Sequence, residues 1–280
     1  IDEANNLPGE DRIGFEYPVI SSDMRFGVLH LASALTISDY LVIETPENVR
    51  VSFRAIGPNR FRVLEISAGV NLFVGGIHIE HGSPPSYAIY ADRGAAMYIH
   101  PGAKVRLLDC MFQNGMAVEA GGCIYIDHAE LSLSAALSGG SERDGGAIYN
   151  DHGFICVEYG STIGGLAEER GGAIFNNHGY ITFEQGNYDS EYYHGQAYVE
   201  GGGLYSDGGI VSFNSVGFLS NSSARGGSLY ITGDAHVEMF GCSAKENSST
   251  SEGGVIYLES GSLYATMCTF GQNSAGGLGG

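Results

Sequence analysis

Short stretches of alternating apolar and polar residues run along this chain, and turn residues separate them. Residues 153–157, 179–183 and 209–213 each begin with glycine and then alternate, as in Gly-Tyr-Ile-Thr-Phe. Alternation with a period of two places successive side chains on opposite faces of a β-strand. The helical period of 3.6 residues is not found in the repeats. The pattern therefore predicts many short strands and an all-β fold.

A second pattern is a unit of two glycines, a small residue, an aliphatic residue and an aromatic residue. Its first glycines are Gly121, Gly145, Gly171, Gly201, Gly226 and Gly253. Successive units start 24, 26, 30, 25 and 27 residues apart. A repeat of this length that is built from strands is typical of a β-solenoid. We predict a right-handed parallel β-helix with three short strands and about 25 residues per coil.

The repeats predict a single domain over residues 1–280. The Gly-Gly coils occupy residues 94–280, residues 16–93 are interpreted as irregular first coils, and residues 1–15 as the remnant of an N-terminal cap. The sequence stops within a glycine-rich stretch where another coil should begin. We therefore expect an uncapped C-terminal end whose strand edges can pair head to tail with another copy.

The charge and the cysteine content narrow the range of candidate functions and partners. The chain has 13 Lys+Arg against 32 Asp+Glu, a net charge of −19, which disfavours nucleic acid and anionic membranes as partners. No apolar run is long enough for a transmembrane helix, so we expect no membrane insertion. The five cysteines form no Cys-x-x-Cys pair. Three of them, Cys110, Cys242 and Cys268, recur at one place in the repeat, which predicts an inward ladder of free thiols.

The residue before each Gly pair is charged in five coils. These residues are Asp144, Arg170, Glu200, Arg225 and Glu252. If they stack, the alternating signs form a cross-strand ion ladder that fixes the register of the coils. The rival interpretation is catalytic: an arginine serves as base or clamp on an acidic sugar, as a β-helical polysaccharide lyase would require.

Three histidines occupy the same turn in consecutive coils, at His128, His152 and His178. Stacking would bring them together beside Asp127 and Asp151, and neutral imidazoles can share a metal ion. The alternative is that the repeat copies a turn residue whose rings stack. We expect folding to need no cofactor. Acidic pairs offer a place for Ca²⁺ or another divalent cation, although no recognised calcium loop is present.

The longest coil and two sequons supply the remaining candidate sites. Residues Tyr188, Tyr192, Tyr193 and His194 lie in the 30-residue coil after Gly171, where extra length predicts a loop. Their aromatic faces suit contact with sugar rings, and the alternative is plain packing within the loop. Asn221-Ser-Ser and Asn247-Ser-Ser are N-glycosylation sequons on predicted turns.

The Gly-Gly-Ala-Ile units, together with Phe-x-x-Asn at 218–221 and 270–273, resemble the repeats of polymorphic outer membrane proteins. The opening residues, with Ala4-Asn5, Pro8-Gly9 and Asp11, resemble the first segment of many secreted parallel β-helix repeat proteins. The resemblance implies an extracellular surface domain, often adhesive and frequently part of a much longer polypeptide.

We therefore expect an extracellular structural or adhesive protein, not an enzyme, that forms a rigid stalk or a fibre subunit. Its partner would be another copy of itself or a surface glycan. The alternative is a carbohydrate-binding protein, or a lyase or hydrolase, that acts on acidic glycans. A basic cleft around Arg170 and Arg225, in place of a neutralised ladder, would distinguish the lyase.

Overall fold

The computed structural model describes residues 11–14, 25–46, 49–55, 61–80, 90–184 and 192–280. Within these ranges every regular element is a β-strand and no helix is present. The strands pair in parallel and stack as a solenoid of about nine turns with about 26 residues per turn. This confirms the prediction of an all-β parallel β-helix.

The strands are β1 (Asp11–Gly14), β2 (Arg25–Leu31), β3 (Leu35–Ile37), β4 (Leu41–Glu44), β5 (Val49–Ala55), β6 (Leu64–Ile66), β7 (Asn71–Gly75), β8 (Ile77–Glu80), β9 (Tyr90–Arg93), β10 (Met97–Ile99), β11 (Lys104–Ala120), β12 (Ile124–Asp127), β13 (Glu130–Ser141), β14 (Ile148–Asp151), β15 (Phe154–Val157), β16 (Thr162–Ala167), β17 (Ile174–Asn177), β18 (Tyr180–Phe183), β19 (Tyr192–Tyr193), β20 (Gly195–Ala197), β21 (Leu204–Asp207), β22 (Ile210–Asn214), β23 (Gly217–Leu219), β24 (Ser222–Arg225), β25 (Leu229–Thr232), β26 (His236–Phe240), β27 (Ser243–Lys245), β28 (Ser248–Glu252), β29 (Ile256–Leu258), β30 (Ser262–Thr266), β31 (Thr269–Gly271) and β32 (Ser274–Ala275).

Each Gly-Gly unit leads into a strand of one nine-stranded sheet. Its order from the C-terminal end is β29-β25-β21-β17-β14-β12-β10-β6-β3. Equivalent residues of the repeat are direct neighbours in this sheet, as Ile124 is of Ile148 and Ile148 is of Ile174. The spacing of the repeat in the sequence is therefore the register of the sheet.

A four-stranded sheet, β19-β23-β27-β31, and a nineteen-stranded sheet form the remaining faces. In the coil after Gly201, β23 is the third strand that the sequence predicts, and β24 is a fourth strand that it does not predict. Ser220 lies between them with φ 55°, in the left-handed region, and turns the chain. The nineteen-stranded sheet runs around a corner because β11 is long enough to pair with β7, β8 and β9.

The inward side chains form one apolar core along the axis. Ile124, Ile148, Ile174, Leu204 and Leu229 are all at most 3% exposed. The cysteines are free, as the sequence predicted, and Cys110, Cys123 and Cys242 are buried whereas Cys156 and Cys268 are partly exposed.

The Gly pair is explained by crowding between coils. Gly145 has φ +63°, where side chains are disfavoured, and a Cβ there would collide with the carbonyl oxygen of Ile148. A Cβ on Gly146 would collide with the carbonyl oxygen of Gly172 in the next coil. The residue before each pair is thereby held at a fixed position in the coil, just ahead of the strand of the nine-stranded sheet.

The predicted N-terminal cap falls largely outside the described residues, which include only 11–14 of it. These four residues form β1, which pairs in parallel with β4. Across the described ranges we find no helix that is long and apolar enough to cross a bilayer.

Candidate functional site

The charged residues before the Gly pairs are stacked as the sequence predicted. Backbone bridges join Asp144 to Arg170, Arg170 to Glu200 and Glu200 to Arg225, and Arg225 pairs with Glu252 in the ladder of β24 and β28. The side chains, however, do not form one continuous ion ladder. They form two separate ion pairs, Asp144 with Arg170 and Glu200 with Arg225.

The Asp144–Arg170 pair is bidentate. Arg170 donates from Nε to Oδ1 of Asp144 at 2.9 Å and from Nη2 to Oδ2 at 2.8 Å. The Asp144 side chain is 9% exposed and that of Arg170 is 30% exposed. Burial raises the pKa of Asp144, and the hydrogen bonds and charge of Arg170 offset this only in part. The two charges therefore neutralise each other, but the free-energy cost of removing them from water offsets much of their attraction.

Each arginine also lies over aromatic rings. The guanidinium of Arg170 is 4.8 Å from the ring centre of Phe175 and 5.2 Å from that of Tyr205. Arg225 takes the same position over Tyr230 and Tyr257. This cation–π contact holds each arginine along its own pair of rings, and among the described residues no ion pair joins Arg170 to Glu200.

The rings beneath the arginines belong to a row that runs through seven consecutive coils. Neighbouring ring centres are 4.7 to 5.1 Å apart. The members are Tyr98, Tyr125, Tyr149, Phe175, Tyr205, Tyr230 and Tyr257. Five of the six contacts are stacked, with planes within 20° of parallel.

A polar cavity of about 190 Å³ lies at one end of the charged row. Its lining combines three arginines with two acidic residues and two tyrosines: Arg93, Arg143, Arg170, Glu119, Asp144, Tyr125 and Tyr149. Arg93 and Arg170 are held by carboxylates at 2.8 Å. Arg143 meets its carboxylate, Glu169, only at 3.4 Å, and its side chain is 56% exposed. Arg143 thus retains donors that a small anion could use.

The three histidines are brought together as a stack. The ring centres of His128 and His152 are 4.8 Å apart, those of His152 and His178 are 5.4 Å apart, and the planes are within 8° of parallel. All three have positive φ, at 46°, 55° and 53°, a conformation in which histidine is enriched among non-glycine residues. The rings stack because the turn copies the same backbone geometry in each coil.

The preceding side chain fixes each imidazole. The Nδ1 atoms of His128 and His152 lie 2.7 Å from Oδ1 of Asp127 and Asp151. For His178 the partner is the amide oxygen of Asn177, at 2.9 Å. Because ionised carboxylates and amide oxygens only accept, Nδ1 is the nitrogen that donates in each of these contacts.

Metal binding by this stack remains a prediction. Nearly parallel rings place their Nε2 atoms side by side instead of directing them toward one point. Within the described part of the chain no group of three or more His, Cys, Asp or Glu side chains is arranged to hold a metal ion. A groove of about 440 Å³ lies beside the stack and is lined by all three histidines, Phe154 and Tyr180.

The predicted carbohydrate-contact loop is described only in part. Tyr188 lies outside the described residues, as do the side chains of Tyr192 and Tyr193, whose backbone forms β19. His194 is exposed, and its carbonyl accepts a hydrogen bond from the amide of Gly165 at 3.1 Å. Contact with carbohydrate at these residues stays a prediction.

The two sequon asparagines lie inside the solenoid, not on exposed turns. Asn221 and Asn247 are 0% and 1% exposed. Each donates its side-chain nitrogen to the asparagine one coil further on, Asn221 to Asn247 and Asn247 to Asn273, at 3.0 Å. The nitrogen that would carry a glycan is therefore bonded and inaccessible in the folded chain, which corrects the expectation of exposed acceptor sites.

This asparagine ladder is the feature that the sequence analysis missed. A second ladder joins Asn150 to Asn176 and Asn176 to Ser206. The available signal was the spacing, because Asn221, Asn247 and Asn273 recur every 26 residues.

No protein-family model matches the chain, and no curated protein or solved structure matches it either.

Proposed function

We propose that this chain is an extracellular surface protein with a structural or adhesive role, in which the stacked coils form a rigid module. The observation that carries the proposal is the aromatic row. Its contacts all point along the solenoid axis and recur in every coil from Tyr98 to Tyr257.

The solenoid is rigid because separating two neighbouring coils breaks several contacts at once. Separating two coils breaks a parallel pairing on each face, one ring contact and, in much of the solenoid, an asparagine hydrogen bond. Aromatic pairs of this kind contribute about 0.5–1.5 kcal/mol each beyond their burial. The module therefore resists bending wherever the described residues stack coil on coil.

The neutralised arginines favour this role over that of a lyase. A lyase needs positive charge that is free to hold a uronate carboxylate, whereas Arg170 is committed to Asp144 and Arg225 to Glu200. Both arginines also cover rings of the aromatic row.

The net charge of −19 bears on assembly with other copies. Like charges repel over about 10 Å at 0.1 M salt and over longer distances in more dilute solution. We expect single particles at low ionic strength, and any fibre of this chain to need salt or divalent cations. Light scattering at low and high ionic strength measures this.

Contact with acidic sugar is a second candidate role, and the cavity beside Arg143 favours it. Oligogalacturonate is a suitable probe, with binding followed by calorimetry at low salt. We expect Arg143→Gln to weaken binding at least five-fold (about 1 kcal/mol), whereas Arg106→Gln, a change at an exposed arginine outside the cavity, leaves it unchanged. Equal effects of both changes, or no binding, would exclude this role. Newly formed unsaturated uronate ends would instead identify a lyase.

Labelling of intact cells tests the main proposal. Antibody fragments raised against the purified chain should bind the outside of the unpermeabilised cells that produce it, and external protease should remove the signal. Labelling that requires permeabilisation would contradict a surface role.

A further inference from the structure

Cys242 and Cys268 occupy equivalent positions on neighbouring coils. The strands that follow them, β27 and β31, pair in register from Ser243 with Thr269, and the amide of Thr269 donates to the carbonyl of Cys242 at 2.9 Å. The cysteines are thus direct neighbours across two parallel strands, although they are 26 residues apart in the sequence.

Their thiols point the same way. Each Sγ atom contacts the carbonyl oxygen two residues before it and a carbonyl oxygen of the preceding coil, that of Phe213 for Cys242 and that of Met239 for Cys268. Burial raises the pKa of Cys242 to about 11, and the neighbouring thiol of Cys268 adds to the shift. The two thiols therefore occupy equivalent places on neighbouring coils, one coil spacing apart.

This spacing suits a disulfide. Adjacent parallel strands are about 4.8 Å apart, and disulfide-bonded cysteines have Cα atoms about 4.4–6.8 Å apart. Parallel Cβ vectors keep the Cβ atoms near the strand spacing, whereas a disulfide needs them about 3.5–4.5 Å apart, so the strands must approach by about 0.3–1 Å.

We propose that Cys242 and Cys268 form an intrachain disulfide that links these two coils when a small-molecule disulfide is present. The partly exposed thiol of Cys268, as thiolate, attacks oxidised glutathione, which forms a mixed disulfide and releases one glutathione thiolate. The thiol of Cys242 then loses its proton and displaces the second glutathione. Two protein thiols are oxidised and one glutathione disulfide is reduced to two thiols.

Other cysteines in the chain serve as internal controls. Cys110 holds the equivalent position in an earlier coil, but its neighbour in the next coil is Ala135. Cys123 is fully buried. Neither has a cysteine on an adjacent coil at the same position, so neither can form the same link.

The test is to incubate the whole chain with oxidised glutathione, count its thiols after denaturation and map its peptides. We expect the count to fall from five to three and one linked peptide pair to contain Cys242 and Cys268. Dithiothreitol should restore all five. The variant Cys110→Ser should lose two thiols as the parent does, whereas Cys268→Ser should lose none.

Five thiols after prolonged incubation, a glutathione that stays on Cys268, or a link that involves another cysteine would overturn the proposal. The peptide map of the unmodified sequence decides this even if a variant folds poorly. The link forms wherever such an oxidant is present, so its failure would leave the proposed surface role untouched.

Discussion

The carboxylate of Asp151 lies 2.7 Å from Nδ1 of His152 and joins two side-chain rows of the solenoid. Its Oδ1 also accepts a hydrogen bond from Asn177, at 2.8 Å, and its Oδ2 accepts one from the hydroxyl of Tyr125, at 3.2 Å. One carboxylate thus connects the histidine stack with the aromatic row and with the next coil.

These hydrogen bonds predict a pH dependence of stability. Burial alone would raise the pKa of Asp151, but the hydrogen bonds from His152, Asn177 and Tyr125 outweigh burial and lower it. A lowered carboxyl pKa stabilises the fold above the unfolded value of about 3.9, and this contribution is lost as pH falls through the folded value. Asp151→Asn should therefore lower the melting temperature above pH 5, with the difference from the parent shrinking below pH 4.

The exposed carboxylate of Glu130 provides the control for this titration. Glu130→Gln should leave the melting temperature nearly unchanged near neutral pH, because its partner Lys104 is 60% exposed. A difference for Asp151→Asn that stays constant from pH 7 to pH 3 would contradict the account.

Removing Arg170 should be costly even though the intact pair contributes little. Arg170→Met leaves the buried Asp144 carboxylate without its bidentate partner, which costs about 2 kcal/mol or more. Lys104→Gln removes an exposed partner and should cost less than about 1 kcal/mol. Urea denaturation of the two variants measures the difference, and equal losses would show that the Asp144 pair is effectively solvated.

The asparagine ladder predicts a large loss at Asn247. Its Oδ1 accepts from the backbone and side-chain nitrogens of Asn221, and its Nδ2 donates to Phe218 and Asn273. Asn247→Ala leaves several buried polar groups without hydrogen-bond partners, which should lower the free energy of unfolding by about 2–4 kcal/mol. Asn71→Ala, at an exposed strand position, should stay within about 0.5 kcal/mol. Comparable denaturation midpoints for both variants would refute a stabilising ladder.

The left-handed backbone conformation at His152 determines which residues this position tolerates. Asparagine adopts positive φ readily, whereas a β-branched residue does not. His152→Val should therefore be about 1–2 kcal/mol less stable than His152→Asn. Thermal unfolding of the two variants checks this, and equal stability would mean that the turn changes its conformation at little cost.

The coils were predictable because local periodicity encodes them. The spacing between Gly145 and Gly171 sets the register of the nine-stranded sheet, and the alternating residues after Gly179 form strand β18. The stacking of His128, His152 and His178 followed from the same repeat. A repeat does not encode which neighbouring residue each side chain contacts.

The side-chain arrangement therefore departed from the pattern in two places. Alternating signs predicted one continuous ion ladder, but Arg170 lies along the rings of Phe175 and Tyr205 and pairs only with Asp144. In the sequence, Asn221 and Asn247 resemble surface turn residues. Only the folded coil shows that their side-chain amides are buried and hydrogen-bond to each other.

The most direct test of the account is to stretch the whole chain from its two ends in a single-molecule force experiment. A rigid module held by repeated axial contacts should resist extension and then unravel in discrete steps of one coil. Each step would release about 26 residues, or about 90 Å of chain at about 3.4 Å per residue. Smooth extension at low force, without steps, would contradict a rigid structural role.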